Sequence, residues 1–289
     1  MSTTNQDKPV NLDSLCKQAF ENAKVQFPAE KLQKSDIGIA VFDAKTGLYG
    51  QFEGGAEKYP ASVVKIFWLA FLAHQVEQGK IKMTPEIERA AHDMIVDSNN
   101  DATGAIVNLT TGALPGPELS GKALEKWLDQ RQACNKWFKN MGYTGVNACQ
   151  RTYNEGPFGR EKQGVGPNGE LRNRLSPVAC VKLMQDIFDA RINTRKQCDW
   201  MLGLLKRDNP ADFPKTKDSQ ASGYIGAIVP NGYELYSKAG WTSTTRHDLA
   251  AIRKPGQPPV IICVFTLKPN SPKVLQSIAK TILDAFVVR

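Results

Sequence analysis

No apolar run in this chain of 289 residues approaches the roughly 20 residues a bilayer-spanning helix needs, so no segment reads as a transmembrane helix. The first ten residues, MSTTNQDKPV, lack the basic start and apolar stretch of a secretory signal. That leaves open both a cytoplasmic protein and a periplasmic or secreted one whose leader has been removed. Six cysteines are present without a single CxxC pair, which argues for core thiols over a metal or redox motif; their even number leaves a disulfide open. The three histidines, His74, His92 and His247, have no metal-ligand spacing, and no G-x-S-x-G elbow occurs, so neither a zinc enzyme nor an α/β-hydrolase is expected. Gly164 to Gly169 spells G-x-G-x-x-G, but no strand precedes it and no helix starts in it, so it reads as a flexible loop. No cofactor and no metal are expected.

The net charge of +8 comes from basic residues scattered among acidic ones rather than gathered in a block, which argues against a nucleic-acid partner. It suits an anionic small molecule or an envelope surface. Hydrophobic residues make up 41% against 23% charged, enough for a sizeable core in one large or two interleaved domains, and a monomer is expected.

The patterning divides the chain. Residues 11–26 read as an amphipathic helix, and Ile37 to Phe42 and Leu48 to Phe52 as a hairpin around Asp43-Ala44-Lys45-Thr46-Gly47. From Ser62 to about Arg207 the pattern is helical, with Thr84-Pro85 and Ser176-Pro177 as helix starts, a helical repeat from Ala123 to Met141, and another from Val178 to Ile192. Tyr153 to Arg174, rich in glycine, asparagine and charge, reads as a long functional loop. Strand patterns resume near Tyr233, with runs from Tyr233 to Ala239, His247 to Ile252 and Val260 to Leu267, before a closing helix over about 271–286. The apolar faces of the first hairpin and the last strands have only each other to cover them. An α+β sandwich is therefore expected: residues 1–61 with 223–289 form an antiparallel sheet flanked by helices, 62–222 an inserted helical subdomain, and the active site lies in the groove between.

Within this pattern Ser62-Val63-Val64-Lys65 stands out, because it opens the apolar run Ile66 to Ala73 just after Pro60. At i, i+3 the two side chains sit about 60° apart around a helix axis and one turn apart along it, so hydroxyl and amine can face each other. Burial would lower the amine's pKa towards that of a working base. The bland alternative is an N-cap serine beside a snorkelling lysine. Ser-x-x-Lys also occurs at Ser14 and Ser277, in helices of mixed polarity or at a solvated lysine. Two further motifs follow in order: Ser98-Asn99-Asn100 after a helix, and Lys238-Ala239-Gly240 on the first C-terminal strand. Lys45-Thr46-Gly47, Lys162-Gln163-Gly164 and Lys254-Pro255-Gly256 share the K-x-G pattern but lie in turns or loops.

The ordered set S-x-x-K, S-x-N, K-x-G resembles the penicillin-recognising serine enzymes and looks closest to class A β-lactamases. The resemblance implies a β-lactamase/transpeptidase-like fold and a serine hydrolase that acts on β-lactams through an acyl-enzyme. The substrate would be a small β-lactam or a peptidoglycan-like molecule. On this reading Ser62 attacks the lactam carbonyl, Lys65 activates it, Ser98 passes a proton to the leaving nitrogen and Lys238 lends positive charge. Asn100 would hold the substrate's side-chain amide. Gly240 would belong to the substrate-binding strand, and the N–H groups of Ser62 and Trp241 would form the oxyanion hole. Arg246, in Thr245-Arg246-His247-Asp248, would meet the substrate carboxylate, with an ordinary surface arginine as the alternative.

The sequence also departs from the family pattern. Asn99 and Ala239 replace the middle residues of S-D-N and K-T-G, which removes a hydroxyl unless Thr242 or Ser243 supplies it. The E-x-x-L-N loop with its deacylating glutamate has no clean match; Glu155, in Gln150-Arg151-Thr152-Tyr153-Asn154-Glu155, is the nearest carboxylate, with a plain loop glutamate as the alternative. Gly104 stands where an asparagine commonly braces that loop. Slow deacylation is the expected consequence. A D-alanyl-D-alanine peptidase or other amide or ester hydrolase on the same scaffold, and a non-hydrolytic binder of β-lactams or cell-wall fragments, remain as alternatives.

Overall fold

The protein is described by a computed structural model that covers residues 11–207 and 220–287. Helix α1 (Leu12–Gln26) begins at Asn11, whose Oδ1 accepts the Ser14 N–H at 2.9 Å, and it buries Leu12, Cys16, Ala19, Phe20 and Ala23 at helical spacing. Strands β1 (Ile37–Asp43) and β2 (Leu48–Phe52) form the expected hairpin, in which Gly47 supplies the left-handed residue at φ 73°. β1 is buried along its whole length because a helical layer covers each face.

The C-terminal strands β6 (Glu234–Trp241), β7 (Arg246–Arg253) and β8 (Val260–Thr266) form an antiparallel meander. β8 pairs with β1 from Ile37↔Thr266 to Asp43↔Val260, so the two ends of the chain share one sheet. A two-residue strand, β5 (Lys206–Arg207), adds to the β6 edge and gives the order β2-β1-β8-β7-β6-β5. On one face, α1 and α10 (Pro272–Val287) pack over Ile39, Val41, Ala250, Ile262 and Val264. Each fully buried Ile, Leu or Phe there contributes about 1.5–3 kcal/mol against exposure.

The other face meets the helical middle. α2 (Lys65–Glu77) is buried from Lys65 to Ala73, and around it lie α3 (Pro85–Ile95), α4 (Asn100–Thr111), α5 (Gly121–Arg131), α6 (Ala133–Asn140), α8 (Pro177–Phe188) and α9 (Arg195–Leu205). Thr84 and Ser176 cap α3 and α8 by accepting the N–H groups of Ile87 and Ala179. α8 packs directly on β1 and β8, so this middle segment is joined to the sheet through its own core.

Several sequence expectations change. The repeat from Ala123 to Met141 is two helices broken at Gln132, which lets Trp127 place its Nε1 2.8 Å from Leu114 O while Phe138 packs on Phe67 with centroids 4.9 Å apart. The long loop contains a short helix, α7 (Arg160–Val165). Strands also occur before Tyr233: besides β5, a small ladder joins β3 (Val146–Asn147) to β4 (Arg174–Leu175). Ser62 lies in a 3-10 turn (Ala61–Val64) and α2 starts at Lys65, so Ser62 is not an α-helical N-cap. All six cysteines are buried free thiols.

Candidate active site

The turn that carries Ser62 is held in a strained conformation. Ala61 has φ 46°, the left-handed region that side chains with a Cβ avoid, and Ser98 has φ 57°. Such residues cost of order 1–3 kcal/mol each and persist where their surroundings over-determine them. Around Ala61 the Val63 N–H bonds Pro60 O at 3.1 Å. The His247 ring reaches Tyr59 O through Nε2 at 3.0 Å. Because His247 Nδ1 accepts the Thr266 N–H at 3.0 Å, Nε2 is the nitrogen that carries the proton and donates to Tyr59. Burial pushes the His247 pKa down to about 4, which keeps this tautomer neutral. Around Ser98, the Asn99 N–H bonds Asp93 O at 2.9 Å and Lys65 Nζ donates to Ser98 O at 2.5 Å.

Lys65 is fully buried, and burial brings its pKa from 10.5 to about 7. Besides Ser98 O, its Nζ contacts Asn100 Oδ1 at 2.8 Å and Ser98 Oγ at 3.3 Å. A neutral amine has two N–H bonds and one lone pair. The two short contacts use the N–H bonds and leave the lone pair for a hydroxyl. Lys238 approaches Ser98 from the sheet side: its Nζ donates to Ser98 Oγ at 2.9 Å, to Gln220 Oε1 at 2.5 Å and to Ala239 O at 3.0 Å. Burial, then the neighbouring Lys65 and Arg207, push the Lys238 pKa well down, while three acceptors match the three donors of an ammonium. Ser98 Oγ thus stands between two amines, suited to hand a proton from one group to another.

Strand β6 brings its edge to the turn that carries Ser62. The Thr242 N–H bonds Thr245 O across the turn to β7 at 3.1 Å, and successive strand N–H groups alternate in direction, so the Trp241 N–H points away from β7. Among the described residues β5 pairs with Leu235 and Tyr236, and the edge beyond them lies against the turn that carries Ser62. A Cβ on Gly240 would lie 2.8 Å from Ser62 N and 2.9 Å from Pro60 O, so only glycine admits this approach. The structure therefore gathers Ser62, Lys65, Ser98, Asn100, Lys238, Gly240 and Trp241 around one groove.

Two assigned residues are placed differently. Arg246 is 1% exposed: its Nε donates to Asn270 Oδ1 at 2.8 Å, its NH1 to Gly223 O at 3.0 Å, and its guanidinium stacks on Tyr224 at 4.6 Å. Its burial rules out a surface arginine, and with Asn270, Gly223 and the Tyr224 ring holding the guanidinium it serves as a buried support behind β6 rather than as an open carboxylate receptor. Glu155 is exposed, and the residue facing the groove from this loop is its neighbour: Asn100 Nδ2 donates to Asn154 Oδ1 at 2.9 Å and to Tyr153 O at 3.1 Å. The turn of the loop points Glu155 to solvent instead. Asn100's amide is thereby engaged on both atoms, by Lys65 and by the loop. Glu161, a second carboxylate of this loop, is buried in an ion pair with Arg131 and accepts the Tyr153 O–H at 2.9 Å, and Glu170 accepts the Asn168 N–H at 2.9 Å. The Arg151 guanidinium fills the space at Gly104, where an added Cβ would collide with its nitrogens.

Arg207, Gln220, Asn154 and Tyr224 were not singled out in the sequence, and no local spacing marks them. Arg207 donates to Ser237 O at 2.8 Å and Ile95 O at 3.2 Å, tying the sheet edge to the helix before Ser98. Asp248 ends Arg246-His247-Asp248, three polar residues in a row on a strand buried from Arg246 to Ile252. Its Oδ2 accepts the Ile225 N–H at 3.0 Å, Oδ1 has no partner among the described residues, and burial lifts its pKa to about 7. Among the described residues, one group could draw in a cation, the mostly exposed His92, Asp93 and Asp97, whose side chains bond none of the residues gathered at Ser62.

The chain as a whole is similar to known proteins. Residues 84–286, well over half the chain, match the family described as beta-lactamase enzyme family; the match begins after the Ser62 tetrad. Beta-lactamase CARB-4 of Pseudomonas aeruginosa is 22% identical over 275 residues, covering 86% of this chain and 81% of that protein. A class A beta-lactamase from Mycobacterium abscessus superposes with a TM-score of 0.65 at 19% identity, covering 93% of this chain and 99% of that one. A point mutant of PBP-A, solved as an acyl-enzyme complex with penicillin-G, superposes at 0.67 with 17% identity, covering 96% and 98%. The two structural likenesses establish a common fold.

Proposed function

The chain belongs to the beta-lactamase enzyme family and is class A β-lactamase-like, and from that premise we propose that it is a serine hydrolase that opens β-lactams through an acyl-enzyme on Ser62 and releases the product slowly. The observation that carries the acylation half is the position of Ser98 Oγ, 3.3 Å from Lys65 Nζ and 2.9 Å from Lys238 Nζ. Lys65, free amine for about half the time near pH 7, takes the Ser62 proton as Ser62 Oγ bonds the lactam carbonyl carbon. The Ser62 and Trp241 N–H groups meet the developing oxyanion, and each such donor typically contributes about 2.7–4 kcal/mol. As the C–N bond breaks, the proton passes from Lys65 through Ser98 to the leaving nitrogen.

Release requires a base that aligns water on the ester. The loop side of the groove presents Tyr153 O and Asn154 Oδ1, neither of which takes a proton at neutral pH, while the Glu161 carboxylate is spent on Arg131 and Tyr153. With no loop carboxylate to align the water and only the Lys65 amine, held by Ser98 O and Asn100, to take its proton, the ester persists. The same observation supports a second reading, a protein that captures β-lactams or cell-wall fragments and holds them. Mixing the protein with a chromogenic β-lactam, following absorbance and intact mass together, separates the two: a burst near one equivalent followed by slow turnover supports the hydrolase, a permanent adduct supports capture, and absence of an adduct with no turnover removes both.

A further inference from the structure

Trp241 is a large apolar side chain left exposed, at 39%, although it sits on the strand whose N–H faces Ser62. Its indole touches one braced ring, and the contacts behind that ring return to the backbone beside Trp241. It lies against Tyr224 with ring centroids 6.5 Å apart; Tyr224 is stacked by Arg246 at 4.6 Å; Arg246 donates to Asn270 at 2.8 Å; and Asn270 Nδ2 returns to Thr242 O, next to Trp241, at 2.7 Å. An aromatic surface fixed in this way loses little freedom when a ligand stacks on it. The segment that carries Tyr224 also carries Gln220, the partner of Lys238, so Trp241 flanks the side of the groove where Lys238 and Ser98 deliver a proton to the leaving group. Asn100, which faces the loop, lies on the acyl side.

We propose that the Trp241 indole is a stacking platform for a planar aromatic group on the leaving portion of the acyl donor, so that the preferred substrates are acyl donors with aromatic leaving groups. The proposal rests on Ser62 being the acylated nucleophile. For a thioester, the Ser62 Oγ to carbonyl carbon bond forms, the C–S bond breaks, and the proton taken by Lys65 returns through Ser98 to the thiolate.

The test measures Ser62 acylation, by intact mass and thiol release, with the benzyl, cyclohexylmethyl and methyl thioesters of N-acetylglycine. The wild-type protein is expected to favour benzyl over both others. Trp241→Ala should lower the benzyl-to-methyl ratio about three- to tenfold, the range of an aromatic pair, and Trp241→Phe should retain most of it. A ratio unchanged by Trp241→Ala, or a cyclohexylmethyl ester as good as the benzyl ester, overturns the aromatic platform. Acylation of Ser62 by a penicillin but by none of the thioesters overturns it as well, leaving the β-lactam reading intact. Failure of penicillin and thioesters alike removes both.

Discussion

Asn154→Asp exchanges a single terminal group on a side chain whose Oδ1 already lies 2.9 Å from Asn100 Nδ2. Asn100 in turn holds Lys65 Nζ at 2.8 Å through Oδ1. The new carboxylate would stand about 8 Å from the amine, where unit charges attract by about 2 kcal/mol at an effective dielectric of about 20. Asn154 is exposed, so solvent screening reduces this to about 1 kcal/mol, a rise of roughly 0.7 in the Lys65 pKa. The sign follows from the role of the free amine: Lys65 acts as base above its pKa of about 7, so acylation climbs as pH rises through that value. In the variant the climb moves to higher pH, and acylation at pH 7 falls about threefold. Deacylation should change in the other direction, because the loop now carries a carboxylate towards the groove, and a positioned base supplies about 10²–10⁴-fold. Stopped-flow absorbance with a chromogenic cephalosporin reads both: a slower burst with a displaced pH midpoint, then a faster steady state. If midpoint and steady state both stay where they are in the wild type, the 150–155 segment does not face the acyl-enzyme and the account of slow release is wrong.

Ser62→Ala should abolish covalent labelling by a penicillin, whereas Ser14→Ala and Ser277→Ala, both outside the groove, should leave the mass adduct unchanged. Gly240→Ala should slow acylation by at least about 10²-fold, because the added Cβ meets backbone atoms of Pro60, Ser62 and Val63 within 3.0 Å and separates the two oxyanion donors; an unaltered burst rate would show that β6 does not build the hole. Gly104→Ala places a Cβ into the Arg151 guanidinium, and a loss of about 1–3 kcal/mol should appear in urea unfolding, with no loss if Arg151 swings out freely. Asp248 has its pKa raised by burial to about 7, above an unfolded value near 3.9, so its favourable neutral form stabilises the fold fully below about pH 4 and that contribution is lost as pH rises through about 7. Asp248→Asn should flatten the decline in melting temperature over that window; an equally steep decline would assign it to another group.

What the sequence determined by itself was local or periodic. The hairpin of β1 and β2 follows from alternation around a turn, α3 and α8 from their Ser/Thr-Pro starts, and β6 to β8 from short apolar runs between turn residues. The order of Ser62, Lys65, Ser98, Asn100 and Lys238 along the chain was enough to suggest chemistry, and the split of strands between the two ends forced them into one sheet. Tertiary structure decided the rest. Strands of two residues such as β5 have no periodicity to read and exist because β6 offers an unpaired edge. The break at Gln132 and the 3-10 turn at Ser62 are packing outcomes that leave the helical pattern of residues untouched. Above all, the loads on individual side chains are set across long separations: Gln220 and Ser98 meet at Lys238, Arg131 claims Glu161, and Asn270 and Tyr224 bury Arg246. A carboxylate or guanidinium in the sequence is only a capacity for charge. Whether Glu155 faces water and Asn154 faces the groove depends on which neighbour the folded loop supplies.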